Sequence, residues 1–225
     1  MRQTEGMSKL VLGICIATSI LVIITGIVWG IRLVKSNQNH LAAQPTTFPL
    51  GGFPMSGNLA PDFTLTDQFG HTETLSALRG QEVVLAFIDS RCKTLCPLTA
   101  TIMYTAKNQL GASAASKIAL VAVNANPAAT SVAEVQSWSI EHGMLHQWLF
   151  LTGTADQLQS IYHQYNVYDA LSSDGQLVHD PIMFIIDAQG HERLSYETLD
   201  SNAPSDLTSQ ELGLEDGMRQ WLPHA

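Results

Sequence analysis

Two cysteines four residues apart have the clearest capacity for chemistry in this 225-residue chain. They stand in Arg91-Cys92-Lys93-Thr94-Leu95-Cys96-Pro97, directly after an apolar run that predicts a buried strand. A helix that starts at this point presents free N–H groups and the positive end of its dipole, which favour thiolate over thiol. Arg91 and Lys93 add positive charge on either side. The pair can therefore bind one metal ion, exchange with another disulfide, or close into its own.

A purely structural disulfide is the alternative interpretation of this pair, because such bridges persist in oxidising compartments. Its loop would be too short to give much chain-entropy stabilisation. If the helix begins at Cys92, an offset of four residues places both sulfurs on one helix face. The sequence therefore favours reactive or metal-binding thiols over a structural bridge.

Strands and helices must alternate around the cysteines to position them. Alternation and β-branched runs predict strands at 62–66, 72–74, 82–88, 117–124, 148–151, 182–186 and 192–196. Helical patterns predict helices at 95–110, from the Ser131/Glu134 capping box to about 143, at 154–165 and at 206–222. Alternating units followed by a hairpin and a closing helix predict an α/β fold, a mixed central sheet flanked by helices.

A separate hydrophobic segment lies at residues 10–31, which are 22 residues without a charge. This length spans the hydrocarbon core of a bilayer, of roughly 30 Å. The alternative is a cleaved signal peptide, but its apolar core should be only about 7–15 residues long. We therefore predict an uncleaved single-pass transmembrane helix, and Cys15 inside it is interpreted as a small apolar residue.

The rest of the chain divides into three predicted parts around this helix. Residues 1–9 form a cytoplasmic N-terminus, 32–60 a flexible tether rich in Pro, Gly, Asn and Gln, and 61–225 the folded domain. Basic residues flank the helix on both sides and give no clear orientation. The size of the C-terminal part favours its translocation, so we predict a cell-membrane protein with an extracytoplasmic C-terminal domain.

The charge distribution excludes one class of partner. The chain has a formal net charge of −9, and residues 1–35 hold four basic residues against Glu5, so residues 36–225 carry −12. An acidic body without a basic stripe cannot neutralise phosphates, and no Gly-rich phosphate-binding motif occurs. We therefore expect no nucleic-acid partner.

At residues 60–196 the chain resembles the Sco/SenC family of membrane-tethered copper chaperones with a thioredoxin-like fold. The resemblance is carried by Cys92, Cys96 and Pro97 after a strand, and by His179 eight residues before Asp187 in a strand-ending Ile-Asp-x-x-Gly pattern. The segments 63–67, 78–80 and 151–154 add to it.

This resemblance implies a copper site formed by Cys92, Cys96 and His179, with copper as Cu(I) or Cu(II). Two thiolates and one imidazole form a soft site that suits Cu(I). The implied partner is the copper A-bearing subunit of cytochrome c oxidase or another respiratory copper protein. The implied role is that of a metallochaperone and not of an enzyme.

Two features of the sequence leave a second hypothesis open. The family's Asp-Pro after the next strand is replaced here by Asn124-Ala125-Asn126-Pro127, which removes an acidic group. Pro181 stands where thioredoxin-like oxidoreductases carry a cis-proline, and an X-Pro bond is the one type for which cis is cheap. The alternative function is a thiol-disulfide oxidoreductase that reduces an extracytoplasmic partner's cysteines, with Cys92 attacking and Cys96 resolving.

Overall fold

A computed structural model describes residues 52–167, 169–171, 177–179, 181–200 and 204–223. The predicted cytoplasmic segment 1–9, the predicted transmembrane helix 10–31 and most of the predicted tether lie outside these ranges. Within them, no helix combines the length and the apolar character needed to cross a membrane.

Ten strands and five α-helices are distributed along the described residues. The strands are β1 (Phe53–Pro54), β2 (Thr64–Thr66), β3 (Thr72–Thr74), β4 (Glu82–Ile88), β5 (Ile118–Asn124), β6 (Leu149–Leu151), β7 (Asp169–Leu171), β8 (Leu177–His179), β9 (Ile182–Ile186) and β10 (Glu192–Glu197). The helices are a 3-10 turn at Leu75–Leu78, then α1 (Leu95–Gln109), α2 (Ala112–Ala115), α3 (Val132–Glu141), α4 (Ala155–Gln164) and α5 (Pro204–Trp221).

A six-stranded mixed sheet organises the domain in the order β1-β10-β9-β4-β5-β6. Strands β4, β5 and β6 are parallel, whereas β9 is antiparallel to β4 with Ala86 opposite Met183. The parallel strands are connected through α1 and α3, and the β9–β10 hairpin precedes α5. This arrangement confirms the predicted mixed sheet flanked by helices. Because β9 runs opposite to β4, its first residues lie at the same sheet end as the last residues of β4.

The central strand β4 is buried along its entire length, as its run of apolar residues predicted. Its alternate side chains enter two separate hydrophobic clusters on the two faces of the sheet. On one face, Val84, Ala86 and Ile88 pack with Cys96 and Met103 of α1. The first turn of α1, and with it the second cysteine, is therefore anchored against the rigid centre of the sheet.

The folded domain starts earlier in the chain than the predicted boundary at residue 61. Strand β1 pairs Phe53 with Ser195 at the sheet edge, and the Met55 N–H donates to the Arg193 carbonyl over 2.9 Å. Pro54 is compatible with this position because an edge strand leaves one side of its backbone unpaired. The hairpin of β7 and β8 was also absent from the predicted elements. Strands of two or three residues are too short to show a hydrophobic period.

Candidate metal centre

The two cysteines lie where β4 ends and α1 begins. The chain reverses direction at Asp89, whose carbonyl accepts from the Cys92 N–H over 3.1 Å. Its carboxylate Oδ1 accepts from the Arg91 N–H over 2.8 Å. This turn places Cys92 before the helix, which begins at Leu95, and Cys96 inside its first turn. The prediction that places both sulfurs on one helix face requires a helix that begins at Cys92, and the helix begins at Leu95 instead. The turn before the helix brings the two cysteines together.

The two thiols have different environments. Cys92 is partly exposed, whereas Cys96 is 1% exposed and packs in the core. The Cys96 N–H donates to the Cys92 sulfur over 3.4 Å, and the Thr94 hydroxyl lies 3.7 Å from the same sulfur. No disulfide joins the two residues. The arrangement presents one accessible sulfur with a second, protected sulfur behind it.

The electrostatics assign the negative charge to Cys92. Its pKa is lowered to about 5, first because the Cys96 side chain hydrogen-bonds its sulfur, with further hydrogen bonds from Thr94 and the Cys96 backbone. The pKa of Cys96 is raised because its thiol donates that bond, because it is buried, and because the Cys92 charge lies beside it. Near neutral pH the pair is therefore a Cys92 thiolate next to a Cys96 thiol.

Arg91 and Lys93 are not among the causes of the low pKa of Cys92, contrary to the sequence-based expectation. The Arg91 guanidinium instead donates to Glu134, with an Nη2–Oε1 distance of 2.7 Å, and to the Ala128 carbonyl over 3.2 Å. Glu134 stands in the first turn of α3, whose N-cap is Ser131. Arg91 therefore connects the cysteine loop to α3. Hydrogen bonds from Cys96 and Thr94 lower the pKa of Cys92 instead.

A buried polar contact behind the loop was missed by sequence reasoning. Asn126 Nδ2 donates to Asp89 Oδ1 over 2.9 Å, and both side chains are buried. The segment 124–127 has no acidic group of its own, but the Asp89 carboxylate lies against Asn126. The available signal was that Asp89 and Asn126 closely follow β4 and β5, neighbouring parallel strands whose carboxyl ends share one edge.

His179 is the last residue of β8, with its backbone opposite Asp169. Its side chain lies outside what the structure describes, so its role as a ligand stays a prediction. Strand β9 begins three residues later in the chain, and its start lies at the cysteine end of β4. Among the described side chains, no group of three His, Cys, Asp or Glu residues is placed to hold a metal ion.

Pro181 lies close to helix α1 through a chain of hydrogen bonds. The Thr198 N–H donates to the Pro181 carbonyl over 2.7 Å, and the Thr198 hydroxyl lies 2.7 Å from that of Thr99 in α1. Thr99 follows Cys96 by three residues. No cis peptide bond occurs among the described residues. The cis bond before Pro181 that the oxidoreductase hypothesis allows involves Asp180, which lies outside them.

Residues 54–209 match the family model described as SCO1/SenC. The chain belongs to the SCO1/SenC family. The match covers most of the folded domain and confirms the resemblance found in the sequence. No curated protein gives a significant sequence match.

Several solved structures of Sco proteins have the same fold as this SCO1/SenC domain. Copper-bound ScoI of Arabidopsis thaliana is 20% identical, with a TM-score of 0.61 over 73% of this chain and 100% of that chain. Apo Sco1 of Thermus thermophilus is 18% identical, with a TM-score of 0.63 over 79% and 99%. BsSco is 18% identical, with a TM-score of 0.56 over 73% and 96%, and is described as having a disulfide switch.

The asymmetry of the cysteine pair gives a direct chemical prediction. Iodoacetamide should alkylate Cys92 and leave Cys96 unmodified in the folded, reduced chain, because only a thiolate reacts and only Cys92 is accessible. The Cys92 rate should stay nearly constant from pH 8 to pH 6 and fall below about pH 5, as its thiolate takes up a proton. Peptide mass spectrometry after timed quenching measures both sites. A Cys92 rate that rises tenfold per pH unit between pH 6 and 8 would contradict the assignment.

Proposed function

We propose that this SCO1/SenC protein is a copper chaperone that helps to mature the copper A centre of cytochrome c oxidase or another respiratory copper protein. Family membership supports the proposal. One relative of the same fold has been solved with copper bound, and another is described as a member of a family of cytochrome c oxidase assembly proteins. The proposed location is extracytoplasmic, with residues 10–31 as a membrane anchor, because this segment is long, apolar and uncharged.

The proposed copper ligands are Cys92, Cys96 and His179. The observation that carries this assignment is the unbridged cysteine pair at the end of β4, at the same sheet end where β9 begins, three residues after His179. The Cys92 thiolate is ready to bind a soft metal ion, whereas Cys96 must lose its proton when copper binds. Binding should therefore release a proton, and its affinity should increase with pH.

Copper transfer would proceed by ligand exchange. Thiolates of the partner would first displace His179 and then the two cysteines, and no covalent bond of this chain would change. The exposed edge of Cys92 provides an entry point for an incoming ligand. A disulfide between Cys92 and Cys96 would remove both sulfur ligands, so the redox state of the pair would control copper loading.

An anaerobic Cu(I) titration against a competing chelator tests this function. The reduced full-length chain should bind one tight equivalent. The same chain oxidised to the Cys92–Cys96 disulfide should bind none tightly, because a disulfide offers no thiolate. Chelator absorbance measures the partition, and a free-thiol assay verifies the redox state. Equal copper retention by both forms would place the metal elsewhere and contradict the proposal.

A second candidate function is supported by the asymmetry of the two thiols, namely reduction of a partner's disulfide. The Cys92 thiolate would attack one partner sulfur, which breaks the partner S–S bond and forms a mixed disulfide. Cys96 would then lose its proton and attack the Cys92 sulfur, releasing the partner as a dithiol. The chain would end with a Cys92–Cys96 disulfide, having given two electrons to the partner, and an external thiol would have to reduce it again.

A further inference from the structure

Lys93 is an exposed cation that directly follows the accessible Cys92 in the chain. We define the thiol surface as residues 91–95, in which Arg91, Lys93 and Thr94 are exposed and Cys92 is partly exposed. Within the described part of the chain, Lys93 takes part in no ion pair and no side-chain hydrogen bond. Its charge is therefore available to a group that approaches Cys92.

Among the described residues, the two acidic side chains that contact the thiol surface, Glu134 and Asp89, already have partners. Glu134 is paired with Arg91 at 2.7 Å. The Asp89 carboxylate is buried and accepts from the Arg91 N–H and the Asn126 amide. Arg91 and Glu134 offset each other at the surface, and Asp89 is enclosed behind the loop. The positive charge of Lys93 is therefore the charge on this surface that has no described anionic partner.

This cation stands out because the surrounding chain is acidic, with a net charge of −12 over residues 36–225. Three other basic residues of the described domain are paired or held, namely Arg193 with Asp187, Arg219 with Glu215, and Lys117 with the Pro223 carbonyl. Lys107 is partly buried in the last turn of α1. Arg79 is also exposed, but it precedes the start of β4, whereas Lys93 follows its end. The two residues therefore mark opposite ends of the central strand.

We propose that Lys93 makes the thiol surface selective for a protein segment that carries carboxylates next to its own cysteines. This inference rests on the proposed function and specifies the chemistry of the partner. A carboxylate one or two residues from a cysteine that reacts with Cys92 would approach the neighbouring Lys93, and unlike charges at close range attract each other even in water. Repulsion by the rest of the acidic domain acts over a longer range and is screened at about 10 Å in 0.1 M salt.

Disulfide exchange with charged peptides tests the inference without copper. Three peptides would share one internal Cys-x-x-x-Cys disulfide and differ only in flanking residues, which are four Glu, four Gln or four Lys. In each reaction the Cys92 thiolate attacks one peptide sulfur, the S–S bond breaks, and the released peptide thiolate takes a proton from water. The quantity compared is the rate with the Glu-flanked peptide divided by the rate with the Gln-flanked peptide. Any change in the intrinsic reactivity of Cys92 affects both rates equally and cancels in this ratio.

The matched variants are Lys93→Glu and Arg79→Glu, which change the net charge equally at opposite ends of β4. At low salt, Lys93→Glu should lower the Glu-to-Gln rate ratio about fivefold to tenfold, as expected for a double charge change near the reacting atoms. Arg79→Glu should change it less than twofold, and Lys93→Arg should keep the wild-type ratio. The effect of Lys93→Glu should shrink in 0.5 M salt.

Equal ratios for Lys93→Glu and Arg79→Glu would overturn the inference, because only total charge would then matter. A wild-type chain that reacts with none of the peptides would overturn it as well. Copper titration of the wild-type chain is independent of peptide charge. A chain that binds copper without charge selectivity therefore refutes this inference alone, whereas loss of copper binding refutes the proposed function.

Discussion

Replacing His179 with alanine should weaken Cu(I) binding by at least about a hundredfold, and replacing Cys92 with serine should abolish tight binding. A Cu(I) site with two thiolates and one imidazole loses one of three ligands in the first variant and its resting thiolate in the second. Hydroxyl oxygen is a poor substitute for sulfur toward a soft ion. The measurement is a competition titration of the reduced full-length variants under anaerobic conditions.

The matched control for this prediction is His163→Ala. His163 is an exposed histidine of α4. Its replacement should leave the copper affinity unchanged. If His179→Ala and His163→Ala bind copper equally well, His179 is not a ligand. If Cys92→Ser retains the full affinity, the cysteine pair is not the copper site.

Disulfide-exchange assays of His179→Ala and Cys96→Ser separate the two candidate functions. His179→Ala should leave the exchange of Cys92 with a peptide disulfide within about twofold of wild type, because the hydrogen bonds that lower the pKa of Cys92 come from Thr94 and Cys96. Cys96→Ser should instead trap the mixed disulfide, since no resolving thiol remains. A chain that exchanges rapidly but holds no copper under competition would support the oxidoreductase.

The bounds of the strands and helices around the cysteines could be predicted well from the sequence, because these elements are long or fully buried. Strands β4 and β9 have the predicted bounds, and the Ser131 hydroxyl accepts from the Glu134 N–H at the start of α3 as its capping pattern indicated. Buried strands are continuous apolar runs, and caps are local side-chain contacts. Both signals are present in the sequence itself. Strands β1 and β8 have only two or three residues and lacked any such signal.

For the electrostatics of the site, the sequence predicted the direction of the Cys92 pKa shift but not its cause. The helix position and the nearby cations predicted a stabilised Cys92 thiolate, and the lowered pKa of Cys92 agrees with that prediction. The cause differs, because Arg91 is engaged by Glu134, which is 43 residues away in the chain. The contact between Asp89 and Asn126 has the same origin in tertiary structure, with a separation of 37 residues. Sequence spacing identifies reactive residues here, but the fold determines which neighbour acts on them.

Glu82 should make the folded chain less stable as the pH rises from about 5 to about 9. This residue opens β4, is completely buried, and neither carboxylate oxygen has a hydrogen-bond partner among the described residues. Its pKa is raised to about 9, first by burial and then by the charge of Asp187. The folded state therefore holds a proton that the unfolded state releases near pH 4.5. Stability is greatest below that pH and is lost as the pH rises toward 9.

Replacing Glu82 with methionine should remove this loss, because an apolar side chain of similar size has no proton to hold and no oxygen to satisfy. The variant should be more stable than wild type by on the order of 2–4 kcal/mol at pH 8, with a much smaller difference at pH 5. Urea unfolding at both pH values measures the difference.

Glu141→Gln, at an exposed position at the end of α3, is the control and should shift stability by less than about 0.5 kcal/mol at either pH. Glu82→Gln separates charge from polarity, since it removes the pH dependence but retains a buried unsatisfied amide. A Glu82→Met variant that is less stable than wild type at pH 8 would mean that the carboxyl group stabilises the fold. The buried acid would then be a structural requirement of the sheet and not a cost to it.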